Sequence, residues 1–214
     1  MACVTPTPTS TLLLVVAWRD GPPETQPGGW RVEPVLPDQS ALDRAGSRGR
    51  TPPPFHTLLW RDDPDSTLPL ALPAPLASVV DRWGALRLAG APAWDDTDDA
   101  AGQPEIKQVS LVAARAELAP DEFARHYREH VDVARVHHPG IVRYAQHTVL
   151  ETAGDDTLAV QAVSELWFAD EATLVERYFA GPDSVAVVRA DNREYIDFSR
   201  TLSLLVRPAD QPRA

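Results

Sequence analysis

The chain has 214 residues, 43% of them hydrophobic, so it is long enough for one sizeable domain or two small ones with a well-formed core. Its formal net charge of -11 and pI near 4.9 argue against nucleic acid or an anionic membrane as a partner, because both require a basic surface. Cys3 is the only cysteine, which excludes an intramolecular disulfide, a thiolate zinc site and a Cys-x-x-Cys redox motif.

The first half of the chain is rich in proline: sixteen of the 21 prolines precede residue 105. The apolar run at 11–18 predicts a buried strand, and it is too short for a signal peptide or a membrane span, so we expect a cytoplasmic protein. Further strands are predicted at 30–35 and 55–61, and helices at 38–45 and 75–88. The acidic stretch 91–102 is expected to be a linker. It divides the chain into domains 1–104 and 105–214.

The second half has a more regular pattern. It predicts strands at 106–114, 141–152, 159–168 and 200–207, with helices at 120–136 and 170–179. The resulting order, β-α-β-β-α-β, is typical of an α+β ferredoxin-like fold with both helices on one face of an antiparallel sheet. The other face of that sheet needs a cover.

The first half can provide this cover in two ways. It is either a degenerate copy of the same ferredoxin-like unit or a proline-rich cap without internal duplication. We predict the former, in which strands 11–18 and 55–61 belong to a sheet packed on the open face of the second-half sheet. The chain would then be a pseudo-dimer of two tandem units.

The helix at 120–136 contains the first candidate site residue. On a 3.6-residue period Phe123, Tyr127, His130 and Ala134 share one stripe, so His130 is expected near the middle of the buried face. His126 lies one turn earlier, on the border of the stripe.

The strand at 141–152 contributes two more candidates. Tyr144 and His147 are an odd number of residues apart, so their side chains should point to opposite sides of the sheet. Glu165 lies in the otherwise apolar strand 159–168. If it is buried, desolvation should raise its pKa toward that of a working acid, unless an Arg or His partner gives it a purely structural role.

Four motifs occur in order along the second half and resemble the EthD family. They are F-x-x-H-Y-x-x-H from Phe123 to His130, Pro139-Gly140, R-Y-x-x-H from Arg143 and S-E-L-W-F from Ser164, and Asp197-Phe198 is similar to that family too. The resemblance covers about residues 105–208. It implies the dimeric α/β-barrel superfamily, in which two ferredoxin-like sheets pair into a barrel. Family members belong to degradative or polyketide-type pathways, and relatives include cyclases, isomerases, decarboxylases, monooxygenases and haem enzymes.

The candidate catalytic residues are His130, His126, Tyr144 and His147. A histidine that titrates near neutral pH can both take and give a proton, so His130 is the expected general acid or base, and a core histidine bonded to backbone is the alternative. The run His126-Tyr-Arg-Glu129-His130 also spells the inverted zinc-protease motif H-x-x-E-H, but Glu129 falls off the inward stripe and no third ligand is evident. The pair His137-His138 is expected to be a turn.

We expect Glu165, Trp167 and Tyr127 to bind a small, mostly apolar, aromatic or polyketide-like substrate. The main hypothesis is an enzyme without cofactor or metal that moves a proton next to a carbonyl, giving cyclisation, isomerisation, dehydration or decarboxylation. An oxidoreductase association follows from the family alone, as does haem ligation by a histidine. The alternative is a non-catalytic binding or accessory protein. Self-association through sheet faces or edges stays open.

Overall fold

The structure, a computed structural model, describes residues 9–23, 27–47, 49, 52–63, 65, 67–98, 103–154 and 158–209, so Cys3 lies outside the described residues. The elements within these ranges are β1 (Thr9–Trp18), β2 (Arg31–Pro34), α1 (Ser40–Arg44), β3 (Thr57–Asp62), β4 (Val80–Asp95), β5 (Ile106–Val112), α2 (Pro120–His137), β6 (Ile141–Gly154), β7 (Ala162–Phe168), α3 (Glu171–Arg177), α4 (Pro182–Tyr195) and β8 (Leu202–Val206). A short 3₁₀ helix, Ala74–Leu76, precedes β4. None of the described helices combines the length and the apolar character that crossing a membrane requires.

These strands form one antiparallel sheet in the order β2-β3-β1-β4-β6-β7-β5-β8. Within each half of the chain the four strands lie in the same spatial order. Numbered along the chain, this order is second, third, first and fourth. The two outer strands also meet, because Val35 pairs with Val206 and the N–H of Leu36 donates to the carbonyl of Leu205 at 2.8 Å. The sheet therefore closes into an eight-stranded barrel, which confirms the predicted α+β fold built from two ferredoxin-like units.

The interior of the barrel holds an apolar core cluster that is shared by both halves. Leu13 and Leu58 of the first half belong to the same core cluster as Val109, Val163 and Leu204 of the second. The strands predicted at 11–18 and 55–61 therefore face the open side of the second-half sheet, as expected. The two sheets are also continuous at their edges, since β4 pairs along β6. Edge strands that could recruit another chain are thus paired within this one.

One predicted element is wrong. Residues 75–88 were expected to be helical, but β4 covers Val80–Asp95. Leu86 and Leu88 point into the barrel and Arg87 between them points away, to Glu151 and Asp63, which is the alternation of a strand. Pairing with β1 on one side and β6 on the other satisfies the backbone along this whole segment. The predicted linker is shorter for the same reason, since residues 91–95 belong to β4.

The seam between β4 and β6 has no room for a side chain at Gly90. A Cβ atom there would lie 2.8 Å from Cα of His147 and closer still to the carbonyl oxygen of Gln146, both fixed by strand pairing. We expect Gly90→Ala to lower the free energy of unfolding by about 1–3 kcal/mol through overpacking. Urea denaturation measures this, with Gly28→Ala as the matched control, because a Cβ at Gly28 meets nothing within 4 Å. Equal midpoints for the two variants would contradict the tight seam.

Candidate active site

A cavity of about 420 Å³ lies between the outer face of the second-half sheet and the helices α2 and α4. A row of polar side chains crosses its floor, since Ser164 on β7 is in register with Gln146 on β6 and with Ser110 on β5, and Ser110 is in register with Ser203 on β8. The three serines line the cavity. Tyr144 lines it from the adjacent row of the sheet. The cavity thus combines apolar and aromatic side chains with polar groups in comparable number.

His130 lies on the wall of this cavity and is 8% exposed. Its Nδ1 is 2.6 Å from Oδ2 of Asp191 on α4. A carboxylate only accepts hydrogen bonds, so Nδ1 carries a hydrogen, and in the neutral form of the ring the lone pair is on Nε2. Within the described residues no hydrogen bond involves that second nitrogen. His130 is therefore oriented by Asp191 and presents a basic nitrogen rather than bonding to a backbone group.

Tyr144 is a second polar residue of the cavity, and its surroundings determine the protonation state of its phenol. Burial raises its pKa to about 12, although neighbouring Gln146 and Ser164 favour the charged form. Its phenol is therefore neutral at physiological pH. The Gln146 amide donates to the Tyr144 oxygen at 3.1 Å and to the main-chain carbonyl of Tyr127 at 2.5 Å. The hydrogen of the Tyr144 phenol can then be donated to a ligand.

Tyr127 also lines the cavity, but its phenol is already bonded. Its O–H donates to the carbonyl of Val163 at 2.9 Å and lies 2.9 Å from the hydroxyl of Ser164. Burial raises its pKa well above the ordinary value. Tyr127 can therefore contribute ring surface to a ligand, and its hydroxyl holds α2 against β7.

His126 lies outside the cavity. Its ring stacks on Tyr195, with 6.1 Å between centroids, and its Nε2 is 3.0 Å from Nη2 of Arg125. Glu129 is exposed and paired with Arg125 at 2.8 Å. The described residues contain no cluster of three or more metal-binding side chains, so the H-x-x-E-H run has no third ligand among them.

The remaining three candidates face the interior of the barrel. Nε2 of His147 is 2.8 Å from Glu165, which also accepts from Nζ of Lys107 at 2.6 Å. Lys107 lies 4.9 Å from the ring centroid of Trp167. His147, Glu165 and Trp167 are thus separated from the cavity by the sheet, and Tyr144 and His147 do point to opposite faces.

The expected pKa shift of Glu165 is wrong in direction. Burial by itself raises the pKa, but the ammonium of Lys107 and the hydrogen bond from His147 outweigh it and hold the pKa well below its ordinary range. Glu165 is therefore an ionised partner in a buried ion network and not a protonated acid. A basic partner without catalysis was the alternative considered for this residue, and the geometry favours it.

The pair His137-His138 was expected to be a turn, but His137 is the last residue of α2 and the turn lies at Pro139-Gly140. His138 is buried on the cavity wall and its Nδ1 donates to the carbonyl of Tyr178. Burial lowers its pKa to about 4, so it is neutral at physiological pH. With Nδ1 bonded to a backbone carbonyl, His138 has the structural arrangement that was considered for His130.

Asp191 and Tyr195 were missed because helix α4 was not predicted. Its signals are nevertheless in the sequence: Pro182 follows Gly181, Asp183 lies in the first turn, and the positions of Ser184, Val188, Asp191 and Tyr195 recur at helical spacing. Ser184, Val188 and Tyr195 are buried against α2 and the sheet, and Asp191 lies on the same face. An acidic residue on such a stripe is a signal for a buried partner.

Comparison with solved structures identifies the fold first. Over 95% of this chain and 92% of the other, the structure is similar to an anthrone oxidase-like protein, with a TM-score of 0.54 and 10% identity. A proposed monooxygenase from Lactobacillus acidophilus is also similar, with a TM-score of 0.48 and 8% identity over 94% and 93% of the two chains. The fold is that of the dimeric α/β barrels.

A sequence match adds to this structural likeness. Residues 115–199 match the model of the EthD domain, the family that the motifs of this segment resemble. No curated protein matches the chain. The matched segment includes α2, β6, β7 and α4, and thus His130, Tyr144 and Asp191.

Proposed function

We propose that the protein is an enzyme of the EthD type that moves a proton next to the carbonyl of a small, mostly apolar, aromatic or polyketide-like ketone. The observation that carries this proposal is His130, held by Asp191 on the wall of a cavity large enough for such a molecule. A base needs a free lone pair near the substrate, and this arrangement leaves Nε2 in that state.

The chemistry divides between two residues of this chain. Nε2 of His130 takes the proton from the carbon beside the carbonyl, and the electron pair of the broken C–H bond moves to the carbonyl oxygen. The neutral phenol of Tyr144 donates a hydrogen bond to that oxygen as it becomes negative. Asp191 stabilises the resulting imidazolium. Return of the proton to another position gives isomerisation. The same enolate can attack a second carbonyl in a cyclisation or expel a β-hydroxyl group in a dehydration. In a decarboxylation the loss of carbon dioxide from a β-keto acid forms the enolate, and the imidazolium of His130 protonates it.

The substrate class is supported by the cavity walls, which include Leu166, Val188, Phe179 and Ile196. One structural relative is called an anthrone oxidase-like protein, and anthrone is an aromatic ketone. We expect the protein to meet such ketones in the cytoplasm, in a degradative or polyketide-type pathway.

Deuterium exchange tests the proposal directly. We expect the protein to catalyse exchange of the protons beside the carbonyl of α-tetralone, a bicyclic aromatic ketone, in deuterated buffer, at a rate that saturates with ketone concentration. NMR follows the loss of the proton signal against a blank without protein. A ketone that binds without exchanging would instead identify a binding or accessory protein.

A further inference from the structure

We propose that the first half of the chain carries a second ligand site, which takes a neutral aromatic molecule with one hydrogen-bond acceptor. The site is a cavity of about 430 Å³ on the outer side of β1, β2 and β3, separate from the one beside α2 and α4. Its volume is within the range of small-molecule sites. The proposal goes beyond the proton-transfer function and does not depend on it.

The position of this cavity follows from the strand order. Both halves have the same arrangement of four strands, and each presents an outer face away from the barrel interior. On the second half, α2 and α4 cover that face and leave the first cavity. On the first half, proline-containing segments that include Pro22, Pro37 and Pro53 line the second one.

The described part of the lining is rich in proline. Seven of the thirteen described residues that line the cavity are prolines, whose fixed φ angle limits the freedom of the backbone that carries them. The indole of Trp18 forms one wall and is held in place because its Nε1–H donates to the hydroxyl of Thr57 at 2.7 Å. Among the described residues that line it there is no carboxylate, ammonium or guanidinium. The occupant that we propose is neutral, because a charged ligand would lose its hydration against these side chains without a compensating charge from them.

His56 lines this cavity and is itself exposed, with its ring held by one hydrogen bond. The main-chain N–H of Trp18 donates to Nδ1 of His56 at 3.0 Å. Because Nδ1 accepts, the hydrogen of the neutral ring is on Nε2. The ligand that uses this group therefore has an acceptor such as a carbonyl oxygen, and its apolar ring packs between the indole and the prolines.

Indole N–H signals in an NMR titration test the proposal, because Trp18 lies in the second site and Trp94 packs on Tyr144, 4.9 Å between ring centroids, beside the first. With α-tetralone as the probe, we expect the Trp18 signal to shift in a saturable way. Val32→Phe, which fills the second cavity, should abolish the Trp18 shift. A Trp18 signal that stays unmoved at saturating ketone overturns the second site whether or not Trp94 responds.

Tetralin, which has the same rings without the carbonyl, tests the acceptor. We expect it to bind at Trp18 roughly threefold to tenfold more weakly than α-tetralone, the scale of one neutral hydrogen bond. Equal affinities would overturn the role of His56. Failure of the proton-transfer function shows separately, as the absence of deuterium exchange.

Discussion

His130→Asn is expected to lower the rate of proton exchange from the ketone by about 100-fold or more while leaving the thermal midpoint nearly unchanged. An asparagine amide can still donate to Asp191, so the hydrogen bond across α2 and α4 persists. It has no basic nitrogen that can take up a proton at neutral pH. The exchange assay beside a thermal melt separates the two effects.

His126→Asn is the matched control, because His126 lies one turn earlier on the same helix and does not line the cavity. It should retain the exchange activity. If His126→Asn loses the exchange activity and His130→Asn keeps it, His126 and not His130 is the base. If His130 is structural instead, His130→Asn melts early and stays fully active, and His130→Ala costs about 1–3 kcal/mol because Asp191 loses its partner.

Lys107→Met is expected to destabilise the protein by about 3–5 kcal/mol, the usual result of removing one partner from a buried charge pair. Lys107 is the only lysine of the chain and is fully buried. Its Nζ lies 2.5 Å from Glu33 of the first half and 2.6 Å from Glu165 of the second. Methionine fills the space but leaves two buried carboxylates without this cation.

The pH dependence of stability should differ in sign between the two proteins. In the wild type the pKa of Glu165 lies below its ordinary value of 4.5, so its contribution is complete at neutral pH and is lost only as the pH falls below about that value. In Lys107→Met burial dominates and raises the pKa. Protonation then relieves the repulsion, and the variant should gain stability as the pH falls from 7 toward 5.

Chemical denaturation at several pH values measures both effects. Arg207→Met is the control, since it removes an equal charge from an exposed position and should change stability by less than about 0.5 kcal/mol. Adding Glu165→Gln to Lys107→Met should recover part of the loss. Wild-type stability and wild-type pH slope in Lys107→Met would contradict the role of the network.

The position of His130 could be predicted from sequence, and its partner could not. Phe123, Tyr127 and Ala134 define a helical stripe locally, because side-chain direction on a helix depends only on residue spacing. Asp191 is 61 residues away, on a helix that was not predicted from the sequence. Which acid meets this histidine depends on how α4 packs on α2.

The sequence by itself determined the four strands and helix α2 of the second half, since these elements have clear periodicity and their order is typical of one arrangement, but it did not predict α4. Only the tertiary structure decided β4, where apolar residues at ambiguous spacing became a strand because β1 and β6 provide partners on both sides. The tertiary structure also decided the protonation state of Glu165. A lone carboxylate in an apolar strand predicts a raised pKa, and the opposite holds because closure of the barrel brings Lys107 and His147 to it in the interior, where a nearby charge outweighs the cost of burial.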